Sequence, residues 1–288
     1  MSHLSWFTLS IIATLCFGIG GALQRFPAAH GHNRFVASFW SVFLAFVLCV
    51  IFFFHSLATT TWQLLAISAL WGLFFATTRF TYYEIFRTSE TNAIVPLTSV
   101  IQLVLSVATG FILFDDSVSV WQIVGIVSAL GCTLLFFSRH SGIRYTTMIT
   151  WLIGLVTISS LGYKIVQKYG VDSFHPNAFL TYQFGFTALF LFVVFGVVHW
   201  HDRRIWHQQL FEGGAKSGSA MSLFSFVGGY AYNIALTKGP FSLVSTIYSL
   251  YIVVTVVLGY LVLKETLTWR KVALLILALV SVVFLRLG

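Results

Sequence analysis

The stretch GFILFDDSVSV at residues 110–120 returns 149 residues later as GYLVLKETLTW at residues 259–269. Both copies read glycine, an aromatic residue, two aliphatic residues, two variable positions, an acid, a hydroxyl residue, an aliphatic residue and a hydroxyl residue. Tyr83 and Tyr232 match at the same offset upstream of the two copies. A repeat of this length between apolar segments indicates two copies of one structural unit.

The composition requires lipid rather than water as the solvent of this chain. Of its 288 residues 58% are hydrophobic and 8% are charged, whereas soluble domains carry about 25% charged residues. Apolar segments recur that are long enough to cross the hydrocarbon core as helices. They lack the alternation of polar and apolar residues typical of membrane β-strands. We therefore predict an all-α integral membrane protein.

The segments predict ten transmembrane helices in two units, residues 1–143 and 144–288. Because each unit has an odd number of spans, the second unit inserts upside down relative to the first. Many transporters are built from inverted repeats of this kind and bind substrate near the midplane between them. The predicted helices are roughly 4–24, 34–55, 62–83, 92–114, 119–138, 149–167, 177–200, 217–236, 241–263 and 268–286.

Charge and cysteine usage narrow the class further. The net charge is +8, but the basic residues are scattered among short connections, which is typical of juxtamembrane positions rather than of a nucleic-acid surface. Cys16, Cys49 and Cys132 all lie within apolar segments, so we expect neither disulfides nor a metal site. No cofactor is predicted. The first residues lack the basic region of a signal peptide, so the first apolar run is interpreted as helix one.

The acids and hydroxyl residues of the repeated motif suit helix caps. Ser119 and Thr268 are predicted N-caps of the fifth and tenth helices, with Asp116 and Glu265 nearby at matching positions.

Two units that each end in this motif and a final apolar helix resemble the EamA-like branch of the drug/metabolite transporter superfamily. The resemblance covers essentially the whole chain. It is most specific at residues 259–269, which are similar to the G-E-x-L-T junction of that family. The first copy departs from the pattern, with Asp115 and Asp116 in place of a single glutamate. The resemblance implies ten helices, an inverted repeat, alternating access and export or exchange of small metabolites, but no particular substrate.

Polar side chains within the predicted helices mark the candidate substrate site, because polar groups are costly at membrane depth. A stripe on helix four has the spacing of one helical face, and the offset of 149 residues carries it onto polar residues of helix nine. A shared central cavity explains both faces; hydrogen bonding between helices is the alternative. The helix-four face is Ser99, Gln102, Ser106 and Thr109, and its helix-nine counterpart is Tyr248, Tyr251 and Thr255.

Other helices supply further candidate substrate-binding residues. Arg79 would provide charge complementarity, and Trp71 and Tyr230 would provide aromatic walls. Arg79 and Lys164 lie near opposite membrane faces on the predicted spans, so we expect them not to share one site. Snorkelling to the interface is the alternative for both, and pairing with Glu84 is a further alternative for Arg79. The further candidates are Gln24 in helix one, Trp71, Arg79 and Tyr83 in helix three, Lys164 in helix six, and Tyr230 and Asn233 in helix eight.

The acids of the chain fall at predicted helix ends rather than at mid-membrane. The small multidrug-resistance relatives use a glutamate in their first helix to exchange cations for protons, and helix one here contains no acid. Substrates that carry a carboxylate or phosphate, or neutral aromatic ones, are therefore favoured.

We predict a secondary transporter, not an enzyme, in a bacterial inner membrane, with a small-molecule substrate and the lipid bilayer as its partners. The monomer would be sufficient, and a dimer is compatible with the sequence. Efflux of cationic amines or drugs is the alternative function, followed by a non-transporting membrane scaffold. A membrane enzyme is disfavoured because the close pair His30 and His32 lies in a connection without nearby acids.

The orientation has two opposed interpretations. Eleven of the Lys and Arg residues fall in the odd-numbered connections and three on the side of the termini. The positive-inside rule then places both termini outside the cell, whereas the family resemblance implies cytosolic termini.

Overall fold

The protein is a bundle of helices. The computed structural model describes residues 4–23, 34–88, 91–137, 147–198, 214–263 and 269–287, and in this part of the chain helix is the only regular secondary structure. The all-α prediction is therefore confirmed. In chain order the helices are α1 (Trp6–Leu23), α2 (Arg34–Phe53), a 3₁₀ helix (Phe54–Thr59), α3 (Trp62–Thr88), α4 (Thr91–Leu113), α5 (Val120–Phe137), α6 (Thr147–Ser173), α7 (Pro176–Val198), α8 (Gly214–Lys238), α9 (Phe241–Ser249), α10 (Tyr251–Leu263) and α11 (Trp269–Leu287).

Several helices have the length and hydropathy of membrane spans. Large apolar side chains remain exposed on the outer surface of the bundle, among them Trp62, Trp151 and Trp269, each more than 70% exposed. Such a surface suits lipid rather than water. Shorter apolar stretches lie in α4, α5, α9 with α10, and α11. The stretches long enough to cross a membrane are Trp6–Leu23, Val36–Thr59, Trp62–Tyr82, Thr147–Ser173 and Pro176–Val197.

The ninth predicted helix is broken, whereas each of the other nine predicted segments is one helix with ends within six residues of the prediction. α9 ends at Ser249 and α10 begins at Tyr251, with Leu250 in a turn between them. The Leu250 N–H donates to the Ile247 carbonyl at 3.1 Å, and the Leu250 carbonyl accepts from the Val253 N–H at 2.9 Å. These bonds satisfy the backbone at the break, which non-helical structure at membrane depth requires.

The helices pack in pairs. α5 lies against α11, α8 lies against α1 and α2, and α3 lies against α6 and α7. α2 also contacts α7, α4 contacts α5, α6 and α9, and α1 contacts α9 and α10. Thus α1 contacts the broken helix, α9 with α10, and α6 contacts α4, which carries the polar face.

The motif at residues 110–120 links the two halves of the chain. The Asp116 carboxylate accepts hydrogen bonds from the backbone N–H groups of Phe241 (3.3 Å) and Ser242 (2.6 Å) at the start of α9. A Cβ atom on Gly110 would lie 2.6 Å from Asp116 Oδ2, so this close approach requires glycine. Asp115 turns the chain with a positive φ of 50°. Asp116 thus caps α9, not α5 as its proximity to Ser119 had suggested.

Ser119 caps α5, as the sequence predicts. The Gln122 N–H donates to Ser119 Oγ at 3.2 Å, and Gln122 Oε1 accepts from the Ser119 N–H at 2.9 Å. The pair forms a reciprocal capping box. The predicted cap at Thr268 and the neighbouring Glu265 lie outside the described residues.

Candidate functional site

The break between α9 and α10 is fixed by α1. Thr14 Oγ1 lies 2.9 Å from the Ile247 carbonyl oxygen and 2.8 Å from the Ser10 carbonyl oxygen of its own helix, so its one hydroxyl proton is shared between α1 and the end of α9. Thr255 Oγ1 donates to the Gly18 carbonyl at 3.1 Å. A Cβ atom on Gly18 would lie 2.4 Å from Cβ of Val254, so α1 contacts α10 almost backbone to backbone. The break is therefore a defined part of the fold.

A cavity of about 140 Å³ lies beside this break. Side chains from α1, α2, α3, α4, α6, α8, α9 and α10 line it. A cavity of about 150 Å³ holds one benzene molecule, so the space suits a small molecule. Six aromatic side chains form part of its wall: Phe17, Phe75, Tyr82, Tyr163, Tyr248 and Tyr251.

Gln102 is a polar centre of the cavity wall. Its Nε2 atom donates to Ser160 Oγ at 3.0 Å and lies 3.3 Å from the Tyr82 hydroxyl. The side chain thereby joins α4, α6 and α3. The amide retains a carbonyl oxygen, so it can accept as well as donate hydrogen bonds at the cavity.

The polar face of α4 points inward along its length. Ser99, Ser106 and Thr109 are all buried, as one helical face turned to the interior requires. Ser99 hydrogen-bonds the side chain of Tyr251, one of the cavity tyrosines. Thr255, the last member of the helix-nine stripe, instead donates to backbone carbonyls, which is the helix-to-helix bonding considered as the alternative.

Tyr248 and Tyr251 flank the break and line the cavity from its two sides. Their ring centroids are 5.6 Å apart, and Tyr232 lies 4.8 Å from Tyr248 on the other side. Phe17 of α1 meets Tyr248 edge to face at 5.2 Å. Both hydroxyl-bearing rings line one cavity. Residues three apart would also share a face in a continuous helix.

Arg79 lines the cavity from α3. Its guanidinium carbon lies 4.9 Å from the centroid of the Phe75 ring, within the range of a cation–π contact. Trp71 stacks on Phe75, with the ring centroids 4.8 Å apart. Trp71 is 5% exposed and does not line the cavity itself. Trp71 therefore packs behind the cavity wall, whereas the sequence predicts that it forms the wall itself.

Lys164 lies near Tyr248 but does not line the cavity, whereas Arg79 does. Its Nζ atom donates to Ser106 Oγ at 3.0 Å and lies 6.0 Å from the centroid of the Tyr248 ring. Arg79 and Tyr248 line one cavity. α6 extends to Ser173, six residues beyond the predicted end, so Lys164 lies further from the end of its helix than the sequence predicts.

Asn233 belongs to a buried chain of amide side chains rather than to the cavity wall. Trp71 Nε1 donates to Gln167 Oε1 at 3.3 Å, and Gln167 Nε2 donates to Asn233 Oδ1 at 2.6 Å. Asn233 Nδ2 in turn donates to Gln183 Oε1 at 3.1 Å. This chain, Trp71–Gln167–Asn233–Gln183, joins α3, α6, α8 and α7, and we call it the amide chain.

Three other predicted residues are not part of the described cavity. Tyr230 stacks on Phe53 at 5.3 Å within the apolar cluster of α2, α7 and α8. Gln24 lies outside the described residues. Tyr83 is part of α3, but its side chain is outside the described part of the structure.

The sequence prediction missed cavity residues on α6 and elsewhere. Ser160 and Tyr163 line the cavity. Together with the predicted residue Lys164 and with Gln167 they follow one another at helical spacing, so α6 carries a polar stripe like that of α4. That periodicity was the available signal, and it was hidden by the aliphatic residues between. Other missed lining residues are Cys16, Ser41, Thr78 and Ser225.

The fold and cavity define a class, a multi-pass helical membrane protein with a polar cavity enclosed by its spans. Residues 146–287 match the model of the EamA-like transporter family. The match confirms the resemblance found in the sequence and agrees with a membrane transporter of the drug/metabolite type. Members of this family are transporters rather than enzymes.

Solved structures share the fold, and twenty-eight of their chains match. One, described as the crystal structure of a protein, is similar over 98% of this chain and 95% of its own, with a TM-score of 0.75 and 11% identity. At that identity the similarity concerns the fold alone. No curated protein sequence is similar enough to this chain to count as a match.

Proposed function

We propose that this protein is a secondary transporter that moves a small metabolite across the membrane by alternating access around the cavity. The observation that carries the proposal is the convergence of polar groups from different helices on one cavity. Gln102, Arg79 and the tyrosine pair Tyr248 and Tyr251 all line it. Polar and charged residues placed inside spans are costly, and they commonly mark a substrate pathway.

The helix packing supports two inverted units as the basis of this mechanism. If the first and second halves exchange roles, the contact of α1 with α8 becomes that of α6 with α3, and that of α2 with α8 becomes that of α7 with α3. The contacts α5 with α11, α2 with α7 and α4 with α9 map onto themselves. The family match begins at residue 146, beside the proposed boundary at 143–144. The cavity lies between units so defined, where rocking of one against the other would expose it to each side in turn.

The charge of the cavity supports an anionic or zwitterionic substrate. Arg79 lines it, and no acidic side chain is among the described lining residues. A guanidinium binds carboxylates through paired hydrogen bonds, and the amide of Gln102 can orient a second polar group. We therefore favour export or exchange of amino-acid-like molecules, organic acids or other carboxylate-bearing or aromatic metabolites, in a bacterial inner membrane.

Efflux of a cationic amine is the second candidate. The six aromatic rings of the wall could bind a quaternary ammonium group through their faces. The guanidinium of Arg79 in the same space opposes it, because like charges at short range repel.

The test is substrate counterflow in proteoliposomes loaded with pooled amino acids, organic acids, sugar phosphates or quaternary amines. We expect exchange in a pool of acidic or zwitterionic compounds, at least about tenfold reduced in Arg79→Gln, since a lost charged hydrogen bond costs about 1.5–3 kcal/mol. Arg286→Gln is the matched control. Arg286 is exposed and lies at the end of α11, far in sequence from the residues that line the cavity. Exchange of quaternary amines alone would replace the proposal by its alternative. Silence in every pool, from folded protein, would contradict transport altogether.

A further inference from the structure

Lys164 is a buried cation that the proposed cavity does not use directly. It is 3% exposed, and its Nζ atom lies 3.0 Å from Ser106 Oγ. The Ser106 hydroxyl donates its own proton to the backbone carbonyl of Gln102 at 2.6 Å. The Ser106 oxygen can therefore accept a hydrogen bond from the Lys164 ammonium. An ammonium has three N–H donors, and this hydroxyl satisfies one of them.

The position of Lys164 is one helical turn beyond the cavity. Ser160, four residues earlier on α6, lines the cavity and bonds Gln102. Residues four apart lie on the same face of a helix, so the Lys164 ammonium continues the cavity wall. The Tyr248 ring, which lines the cavity, has its centroid 6.0 Å from Lys164 Nζ. The ammonium therefore lies beside a ring of the cavity wall.

Neither cation has an anionic partner in the described part of the chain. The ion pair found there is Lys168 with Asp172 at 3.0 Å, near the end of α6. Arg79 contacts the face of Phe75, and Lys164 contacts a hydroxyl and faces a ring. Two positive charges enclosed in a medium of low dielectric constant attract anions strongly, because the desolvation cost is otherwise uncompensated.

We propose that the substrate carries two anionic groups at the ends of a short chain, as a small dicarboxylate does. One carboxylate binds Arg79 in the cavity, and the other reaches Lys164 beside the Tyr248 ring. A single compact anion in the cavity would meet Arg79 only, because Lys164 lies beside the cavity and does not line it. A small dicarboxylate has about eight non-hydrogen atoms and is therefore close in size to the benzene molecule that a cavity of about 150 Å³ holds. This inference rests on the proposed function and assigns Lys164 the selection between diacid and monoacid.

The experiment compares two diacids, succinate and glutarate, with their monoamides, which have the same length and one charge less. Half-saturation of counterflow is measured for each compound in the unaltered protein and in Lys164→Gln. The matched control is Lys216→Gln, which removes the same charge from an exposed position on α8. Melting temperatures without substrate confirm that each variant is folded.

We expect the unaltered protein to prefer each diacid over its monoamide by at least about tenfold. Lys164→Gln should reduce this preference to about twofold or less, while the monoamides exchange as before. Lys216→Gln should keep the preference. Equal use of diacid and monoamide by the unaltered protein, or an unchanged preference in Lys164→Gln, would overturn the inference and leave transport itself established. Failure of all these acids and of every other pool to exchange would instead overturn the proposed function.

Discussion

Asp116 Oδ2 accepts a hydrogen bond from the backbone N–H of Ser242 at 2.6 Å, across 126 residues of sequence. The bond places a carboxylate of the first half at the N-terminus of α9 in the second half. Unpaired N–H groups and the helix dipole both favour an anion there. The acid of the repeated motif therefore has a structural role, which agrees with the capping interpretation of these acids.

Asp116→Ala should destabilise the fold by about 1–2 kcal/mol, the usual cost of a lost N-terminal cap. Thermal unfolding of the purified protein in detergent measures the effect. Asp116→Asn should lose less, because its carbonyl oxygen can still accept from the same N–H groups. Asp115→Asn is the control, since Asp115 is exposed and asparagine tolerates its positive φ. An Asp116→Ala protein as stable as the Asp115→Asn protein would contradict the capping role.

The helix ends and the inward face of α4 could be predicted from the sequence for simple reasons. The length of an apolar run fixes a span, because the hydrocarbon thickness is constant. Ser99, Gln102 and Ser106 share a face because a helix has a fixed period. These two regularities act within a single helix, so they need no knowledge of its neighbours.

The break at Leu250 and the depth of Lys164 could not be predicted in the same way. Residues 248–252 contain neither proline nor glycine, and the break depends on Thr14 and the close approach of Gly18, both on α1. The proximity of Lys164 on α6 to Tyr248 on α9 is likewise a property of packing. Contacts between distant segments decide both features, and hydropathy does not report them.

Gln102→Ala and Tyr251→Phe should impair transport while leaving the yield of folded protein intact. The first removes the amide that bonds Ser160, and the second removes a hydroxyl at the cavity. Loss of one hydrogen bond to a substrate costs about 1 kcal/mol, so half-saturation should rise about fivefold. Counterflow measures it, with Gln63→Ala as the control because Gln63 is exposed at the start of α3. Unimpaired transport in both cavity variants would remove these residues from the site.

Gly20→Leu should block substrate entry without harming the fold. A Cβ atom on Gly20 would meet no other atom within 4 Å, and the residue lines the cavity. Gly154→Ala on α6 is the control, since its Cβ atom also meets nothing within 4 Å. Gly18→Ala should lower the melting temperature instead, because its Cβ atom would lie 2.4 Å from Val254.

Transport and thermal unfolding together separate the two glycine positions. Gly20→Leu should melt within a few degrees of Gly154→Ala and yet exchange little substrate. A Gly20→Leu protein that transports normally would show that the described cavity is not on the substrate pathway.

The amide chain should behave as one cooperative unit that stabilises the bundle and does not bind substrate. Gln167→Leu and Asn233→Leu each leave buried hydrogen-bonding partners unsatisfied, so each should cost about 1–3 kcal/mol of unfolding free energy. The double variant should cost less than the sum, because the second substitution removes a group that the first has already left unpaired. A double-mutant cycle from denaturant unfolding measures this coupling, and counterflow should give an unchanged half-saturation. Additive costs would show that Gln167 and Asn233 act independently, and an altered half-saturation would place the amide chain in contact with the substrate.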